Sequence, residues 1–407
     1  MKFDILKIIE NSTTVKAEGS QITSHRKSEI IRQGVRRFEN QKVFQTSRLG
    51  EANQDRLISD TKEFGGLGTV HDYGFPNEVT EHRTNPYVDS SALTSYTEAL
   101  SYLTAKYPDF IFSGQCSVTN KTLSLTSNYG VDLSTQSGLV DWYFIYQKKG
   151  SGNMMDGFLF GSSPKDSILQ SIQAQKEYLK VSDKIEKIRS GKYPVLIVEE
   201  KSPLKKLLES FHLNKYSDSS ALYSGKLKSK LFSDKVTIYD SGYDPANGQF
   251  NFFDGEGVVR SKDLKLIDRG IFTTTISDLR FSKKYSELST GNGLREYNRG
   301  VNVDFKNLRF KKGIRPWKEI ISHLPVCIVA AVTAGGDSND LGEFSSPVQI
   351  GYVYRYGELV GLAPQVTVKT SIEQYLDKNL IDISSDGFTD DHSSGCVISE
   401  MDILLNS

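Results

Sequence analysis

The sequence predicts an α+β protein, on three observations. Segments that resemble strands outnumber those that resemble helices along the whole chain, and the strands come in hairpin-like pairs. Such pairs favour antiparallel sheets over a doubly wound parallel sheet. The length of 407 residues exceeds what one average core accommodates. We therefore predict an N-terminal mixed α/β domain over residues 1–190, with antiparallel strands and helices, and a mostly-β C-terminal domain over residues 191–407.

The first half contains both kinds of element. Residues 1–10 predict a short helix or strand. Helices are predicted at residues 50–62, where Asn53 is a candidate cap, at 94–107, where apolar residues recur at helical spacing, and at 166–189. Strands are predicted within residues 22–47 and at 110–118, 122–127 and 139–147. Within residues 22–47, Arg32, Arg36 and Arg37 could form a basic patch, but the favoured interpretation is a solvated strand face.

The second half begins with a strand at 193–198 and a helix from residue 203. A buried strand is predicted at 324–334, and a hairpin at 349–362. Glu343 and Ser345 are interpreted as turn and cap residues. A helix at 370–380 and one last strand from Cys396 complete the prediction.

Charge and composition exclude several classes of function. The 50 basic and 50 acidic residues balance, so bulk charge gives no support to nucleic-acid or anionic-membrane binding. No apolar run reaches the roughly 18 residues of a membrane span, and the N-terminus lacks a signal-peptide core. Three widely spaced cysteines, Cys116, Cys327 and Cys396, indicate packed residues in a reduced, cytoplasmic setting.

Residues 234–299 are the most distinctly patterned stretch. A β-rich run ends at Asp240, and the turn-forming sequence 241–248 follows it. A hairpin is predicted around Asp268-Arg269-Gly270. Turns this frequent between apolar runs indicate loops held on a sheet, where binding residues concentrate. We take the polar and glycine positions of the two richest loops as candidates for a substrate cleft, namely Asp254, Glu256, Gly257, Thr290, Asn292 and Arg295.

These candidates allow more than one interpretation. Asp254 and Glu256, spaced by two on a strand, would share a face and could perform acid/base chemistry. The favoured interpretation is that they accept backbone N–H bonds in the turns. Thr290, Asn292 and Arg295 would either anchor a peptide or order their loop, and Arg295 could bridge to Asp254 or Glu256.

The histidines do not complete a metal site. His71 and His82 share a loop-rich region, but nothing nearby completes a set of ligands. His392 and Cys396 are four residues apart, in a segment too loop-like to force one face. His212 has no histidine four residues before or after it. No local motif supplies a histidine base for a hydrolytic serine. We predict no metal site and no catalytic residue in this chain.

Five segments of this sequence resemble the TldD/PmbA family, whose PmbA branch is also called TldE, and they occur in the same order as in that family. They are ITSHRKSEIIRQGVRRFENQKVFQTS (22–47, the loosest), SGKLKSKLFSDKVTIYD (224–240), FFDGEGVVRS (252–261) with LIDRGIF (266–272), STGNGLRE (289–296) and LGEFSSPVQIGYVYRYGELVG (341–361). The resemblance implies a soluble bacterial or archaeal protein of a metallopeptidase system. That system degrades small or unfolded peptides and matures peptide antibiotics. Some family members are named modulators of DNA gyrase.

The resemblance also implies a division of labour between two subunits. One carries HExxxH on a helix plus a later cysteine and binds zinc, and its sister lacks those ligands. The family places that helix just after the first strand of its second half. At that place this chain has Glu209-Ser210-Phe211-His212-Leu213-Asn214. Glu209, Ser210 and Asn214 would stand for the first ligand, the base and the second ligand, and none is competent.

The leading hypothesis is therefore a PmbA/TldE-like non-catalytic subunit of a zinc metallopeptidase system. We expect no cofactor in this chain, with zinc only in an HExxxH-bearing partner. The expected partners are a peptide and a TldD-like sister subunit, or a second copy in a homodimer, with neither membrane nor nucleic acid bound. Two alternatives are a stand-alone peptide-binding module and a metal-independent hydrolase that uses Asp254 and Glu256.

Overall fold

An antiparallel sheet of long strands forms the N-terminal half of the computed structural model, which describes residues 1–153, 155–199, 201–244, 249–389 and 394–406. Its strands are β1 Lys2–Glu18, β2 Gln21–Glu39, β3 Lys42–Leu49, β4 Thr69–Val70, β5 Val79–Thr84, β6 Phe110–Ser127, β7 Val131–Lys148 and β8 Gly157–Ser163. They lie in the order β4-β3-β2-β1-β6-β7-β5, and β8 pairs with β7. Only the pairing of β5 with β7 is parallel.

Three helices accompany this sheet, α1 Gln54–Phe64, α2 Ser91–Lys106 and α3 Ile168–Gln175. α2 buries Leu93, Tyr96, Leu100 and Leu103, whose spacing of three and four residues places them on one face. The Tyr96 ring stacks on that of Phe144 from β7, with 4.3 Å between centroids. The helical periodicity of the sequence therefore corresponds to the face that packs on the sheet.

A second sheet begins at β9, and its strands close on themselves. The strands of the second half are β9 Gly191–Ile197, β10 Ile238–Asp240, β11 Tyr243–Asp244, β12 Gln249–Phe250, β13 Leu264–Asp268, β14 Ile271–Phe272, β15 Gly293–Arg295, β16 Val301–Val303, β17 Leu308–Phe310, β18 Cys327–Thr333, β19 Asp337–Ser338, β20 Glu343–Arg355, β21 Glu358–Leu362, β22 Val366–Ser371, β23 Leu380–Ile383 and β24 Val397–Leu405. The order is β18-β9-β24-β22-β20-β19, and β18 also pairs with β20. This one extra pairing closes a ring of β18, β9, β24, β22 and β20, and their residues Val195, Ile328 and Val368 belong to one buried apolar cluster.

The remaining strands carry the loops of interest. β14, β13, β10 and β17 form a four-stranded sheet, and β15 pairs with β16. Among the described residues, the α-helices of this half are α4 Lys205–Phe211, α5 Leu213–Ser217, α6 Leu279–Lys284 and α7 Trp317–Ser322. No helix in the described ranges is long and apolar enough to cross a membrane.

Several predictions from local sequence are confirmed. The α+β class is correct, and residues 1–10 belong to a strand. The helix predicted at 50–62 is present as α1, four residues later at its start, and Asn53 caps it by accepting the N–H of Arg56 at 2.9 Å. β13 and β14 form the predicted hairpin, with Arg269 and Gly270 both at positive φ. The cysteines Cys116, Cys327 and Cys396 are buried, as expected of packed residues.

Other predictions are wrong, and tertiary pairing explains them. The helix predicted at 166–189 is reduced to α3 and a 3-10 turn at Tyr178–Val181. Beyond that turn the chain pairs with β21 instead. The N–H of Glu186 donates to the Leu362 carbonyl at 2.8 Å, and the N–H of Leu362 donates to the Lys184 carbonyl at 2.7 Å. The helix predicted at 370–380 begins as strand β22 and continues as a short π-helix at Gln374–Lys378.

The predicted strand and turn boundaries also change in two places. Residues 110–118 and 122–127 form the single strand β6, because β1 and β7 pair with it along its length. Glu343 and Ser345 are not turn and cap residues. They lie within β20, where they pair with Ser371 and Lys369 of β22.

Candidate functional site

The side chain of Asp254 stabilises a tight turn. Its Oδ1 accepts the N–H groups of Glu256 and Val258, each at 2.9 Å. Its Oδ2 accepts the N–H of Gly293 at 2.9 Å and so joins the turn to the second candidate loop. Gly257 lies at φ +90, a conformation that residues with a Cβ rarely adopt. The two candidate loops are therefore one hydrogen-bonded unit.

Glu256 is buried in the same turn. Its Oε2 accepts the N–H of Leu279 at 2.7 Å. Burial, and after it the charge of Asp254, raises the pKa of Glu256 to about 8. Because both residues lie in a turn, the argument that they share the face of a strand is wrong. Both accept backbone N–H bonds, as the favoured interpretation expected.

Thr290 and Asn292 use their polar atoms inside the protein. The Thr290 hydroxyl accepts the N–H of Ser277 at 2.7 Å and lies 2.9 Å from the Asn292 side-chain oxygen. The Asn292 amide donates to Asp240 at 2.7 Å and to the Asp304 carbonyl at 2.8 Å. These contacts order the loop.

Asp240, at the end of β10, accepts hydrogen bonds from the segments that surround this loop. Its Oδ1 accepts the N–H groups of Lys306 and Asn307 at 2.8 and 2.9 Å. Its Oδ2 accepts the Asn292 amide and the Arg260 guanidinium, the latter at 2.8 Å. Sequence reasoning missed Arg260, Lys306 and Asn307. The only local signal was the position of Asp240 between a β-rich run and a loop.

Arg295 pairs with Asp4 of the N-terminal sheet, and not with Asp254 or Glu256. The Arg295 guanidinium lies 2.6 Å from Asp4 Oδ1 and donates to the Gly34 carbonyl at 2.8 Å. The Arg36 guanidinium lies 2.7 Å from Asp4 Oδ2, and the Tyr129 hydroxyl donates to that oxygen at 2.8 Å. We call Asp4, Arg36, Tyr129 and Arg295 the junction cluster, because it joins the two halves of the chain.

The junction cluster is buried and charged. Burial acts to raise the pKa of Asp4, but Arg36 and Arg295 outweigh burial and hold that pKa below its usual value. Arg36 also donates to the Gly255 carbonyl at 3.3 Å. Arg36 and Arg37 are 5% and 6% exposed, so the prediction of a solvated face for them is wrong.

A cavity of about 600 Å³ lies beside this cluster. Leu6 and Leu123 of the N-terminal sheet form one wall. The lining also includes parts of both candidate loops and of the segment up to Lys306. The charged residues of the lining are Asp254, Arg295, Glu296, Arg299, Asp304 and Lys306. Of the six candidates, the structure thus brings Asp254 and Arg295 to this cavity, whereas Glu256, Gly257, Thr290 and Asn292 lie outside its lining.

The place that the family resemblance assigns to a zinc helix is interrupted. α4 ends at Phe211, and His212 has extended backbone angles, φ −73 and ψ 119, before α5 begins. The Glu209 carboxylate lies 3.5 and 3.6 Å from the ammonium groups of Lys206 and Lys215. The His212 ring packs edge-on against Phe305, with 5.6 Å between centroids, and burial lowers its pKa.

The other two positions offer no better ligand. The Ser210 hydroxyl is buried, donates to the Lys206 carbonyl at 2.9 Å and accepts the N–H of Tyr223 at 3.2 Å. Asn214 carries an amide, which zinc sites of proteins rarely use. The residues present at this place therefore do not fit a zinc ion.

No group of three or more histidine, cysteine, aspartate or glutamate residues is arranged to hold a metal within the part of the chain that the structure describes. His71 stacks on Tyr73, with 4.2 Å between centroids. His82 instead hydrogen-bonds to Ser134 at 2.8 Å. The pair of His392 and Cys396 falls partly outside the described residues, because His392 is not among them.

Comparisons with known proteins agree with this architecture. The model of the PmbA/TldA metallopeptidase C-terminal domain matches residues 190–403, more than half of the chain. None of the curated proteins matches the sequence significantly.

Solved structures match along nearly the full length. TldE from Thermococcus kodakarensis superposes with a TM-score of 0.85 at 16% identity, covering 99% of this chain and 96% of that one. A protein described as a candidate modulator of a DNA gyrase, from Thermotoga maritima, gives 0.78 at 15% identity, with the same coverage. One of similar description from Bacteroides thetaiotaomicron gives 0.77 at 14%, covering 100% and 95%. These identities show a shared fold, and the match to the domain model shows that the chain belongs to the TldD/PmbA family.

Proposed function

We propose that this chain is a TldE/PmbA-like, non-catalytic subunit of a zinc metallopeptidase system that degrades or matures peptides. One observation carries the proposal. At the place of HExxxH, the chain has Glu209, Ser210 and Asn214, on two short helices separated by His212.

The chemistry of these side chains supports the proposal. Two histidine nitrogens on one helical face can share a zinc ion, and an adjacent glutamate can then accept a proton from the metal-bound water. Here Glu209 is already paired with two lysines, and the Ser210 hydroxyl is used in hydrogen bonds. A serine hydroxyl is also far too weak a base for that proton. Zinc and the general base would therefore come from an HExxxH-bearing sister subunit.

The role left for this chain is to shape the peptide cleft and hold the active subunit. The loop unit around Asp254 and Asn292 and the cavity beside it would form a fixed wall of that cleft. The chain would work in the cytoplasm, without a cofactor of its own and without direct contact with nucleic acid. Its zero net charge gives no reason to expect DNA binding.

Two measurements on purified protein test this function. In the first, the chain is expressed alone in zinc-supplemented medium, and its metal content is determined by mass spectrometry. We expect no stoichiometric zinc and no peptide hydrolysis. In the second, the tagged chain is used to capture proteins from its own organism, and an HExxxH-bearing sister subunit is expected. One tightly bound zinc per chain, with peptidase activity from this chain alone, would overturn the proposal.

A stand-alone peptide-binding module is the second candidate, and the cavity favours it. A cavity of this size, with an apolar wall and charged groups, can hold a ligand without a partner subunit. If the capture recovers no HExxxH-bearing protein while peptides bind the isolated chain, this second candidate is the better description. No observation favours a metal-independent hydrolase, since Asp254 already accepts three N–H groups and Glu256 lies outside the lining of the cavity.

A further inference from the structure

Lys306 is an unusual member of the cavity lining. Its Nζ is buried and has no hydrogen-bond partner among the described residues. Its backbone N–H donates to Asp240, and the residue is part of the cavity lining. Burial lowers its pKa to about 8, partly offset by the charge of Asp254. A buried cation without a hydrogen-bond acceptor is costly, and such groups in native proteins usually serve a ligand or a water molecule.

Two neighbours of Lys306 share this deficit of acceptors. Arg260 Nε and the Asn307 side-chain nitrogen are also buried without a hydrogen-bond partner among the described residues. Both residues contact Asp240 through other atoms. The two oxygens of Asp240 accept four hydrogen bonds from surrounding groups, and those of Asp254 accept three N–H groups. Donors therefore exceed acceptors in this part of the site.

The other cations of the lining are already engaged. The Arg295 guanidinium donates hydrogen bonds to Asp4 and to the Gly34 carbonyl. Arg299 is mostly exposed and lies 3.5 Å from Glu296. Among the described residues, Lys306 is the cation of this lining whose ammonium group has neither an ion pair nor a hydrogen bond.

Besides Lys306 and the carboxylates of Asp254, Glu296 and Asp304, the lining contains several apolar residues. Leu6, Leu123, Phe253, Leu294 and Val301 contribute apolar surface to the cavity. The volume of about 600 Å³ accommodates a ligand of the size of two or three amino-acid residues. Lysine has a flexible four-carbon stem with three rotatable donors, so the Lys306 ammonium group can reorient when an anion binds.

We propose that this cavity binds the carboxylate of a ligand whose adjoining part is apolar, with Lys306 Nζ as the binding cation. The carboxylate can come from the C-terminus of a peptide or from a small free organic acid. The peptide source rests on the proposed function, because a subunit that shapes a peptide cleft would meet such ends. The carboxylate would supply the acceptor that Lys306 lacks.

Isothermal titration calorimetry on the full chain, without any partner subunit, tests this inference. Three probes separate the sources: the tripeptide Ala-Ala-Leu with a free carboxylate, the same peptide with a C-terminal amide, and 4-methylpentanoate. We expect a free carboxylate to bind at least about tenfold more tightly than the amide, because charged hydrogen bonds are the stronger ones. Tighter binding of the peptide acid alone assigns the peptide source, and binding of 4-methylpentanoate alone assigns the free acid.

Two variants identify the cation. Lys306→Met keeps an unbranched apolar side chain and removes the charge, so the preference for the acid should disappear. Lys311→Met changes an exposed lysine outside the cavity and should leave the preference unchanged. Equal affinity for acid and amide on the unmodified chain, or no binding of any probe, would overturn the inference even if Lys306→Met does not fold. Because no partner is present, such a failure leaves the capture experiment, and with it the proposed function, untouched.

Discussion

Asp4→Asn is the substitution that most directly tests how the two halves are joined. Asp4 is fully buried and accepts hydrogen bonds from Arg36, Arg295 and Tyr129. Asparagine keeps the shape of the side chain and removes its charge. The variant therefore leaves two buried guanidinium groups side by side without an anion between them.

The structure sets the size of the expected effect. Removing one partner of a buried ion pair costs about 3–5 kcal/mol, because the other charge stays buried. That is a large part of the roughly 5–15 kcal/mol by which domains are stable. A matched control lies on the same two strands. Glu10 pairs with Arg32 at 3.1 Å with both side chains about a quarter exposed, and Glu10→Gln should cost about 0–1 kcal/mol.

Urea denaturation followed by circular dichroism measures both variants. The pKa of Asp4 is lowered by folding, so its contribution to stability is present above its unfolded value of 3.8 and is lost as the pH falls through the folded value. The difference in free energy of unfolding between the native protein and Asp4→Asn should therefore be at its largest at pH 7 and decrease below pH 4. A cost for Asp4→Asn no larger than that of Glu10→Gln would refute the reasoning.

Two further predictions concern the loops of the C-terminal half. Gly270 and Gly225 both lie at φ +74, but a Cβ at Gly270 would lie 1.9 Å from the Phe232 carbonyl oxygen, while Gly225 faces open space. Gly270→Ala should lower the free energy of unfolding by at least about 2 kcal/mol more than Gly225→Ala, and similar losses in urea denaturation would contradict this. Since the pKa of Glu256 is about 8 in the folded chain and near 4.5 when unfolded, stability should fall as the pH rises between these values. Glu256→Gln should flatten that dependence between pH 5 and 8, and equal slopes would show that Glu256 ionises normally.

Local signals predicted much of the fold. α1 was predictable from its cap Asn53, and α2 from its apolar face, because both signals lie within a few consecutive residues. The segment after α3 was not, because Lys184 and Glu186 bond to Leu362, about 180 residues away. Its sequence is compatible with a helix, and the partner that overrides this preference is invisible to local patterns.

The candidate site divides in the same way. The turn held by Asp254 was predictable, because its glycines and its first two N–H donors are sequence neighbours. The junction cluster was not, because Arg295 meets a carboxylate 291 residues away. Lys306 was equally hidden, since nothing in its neighbours indicates a buried ammonium group beside a cavity.

Peptide hydrolysis in a reconstituted mixture distinguishes a non-catalytic subunit from a zinc enzyme. A fixed amount of the HExxxH-bearing sister subunit is titrated with this chain in zinc-containing buffer, and the rate of cleavage of an unfolded peptide is followed. We expect no cleavage by this chain alone, and a rate that rises on its addition until the two subunits are in a fixed ratio. Zinc-dependent cleavage by this chain alone, or a rate of the sister subunit that does not change on its addition, would show that this chain is not such a subunit.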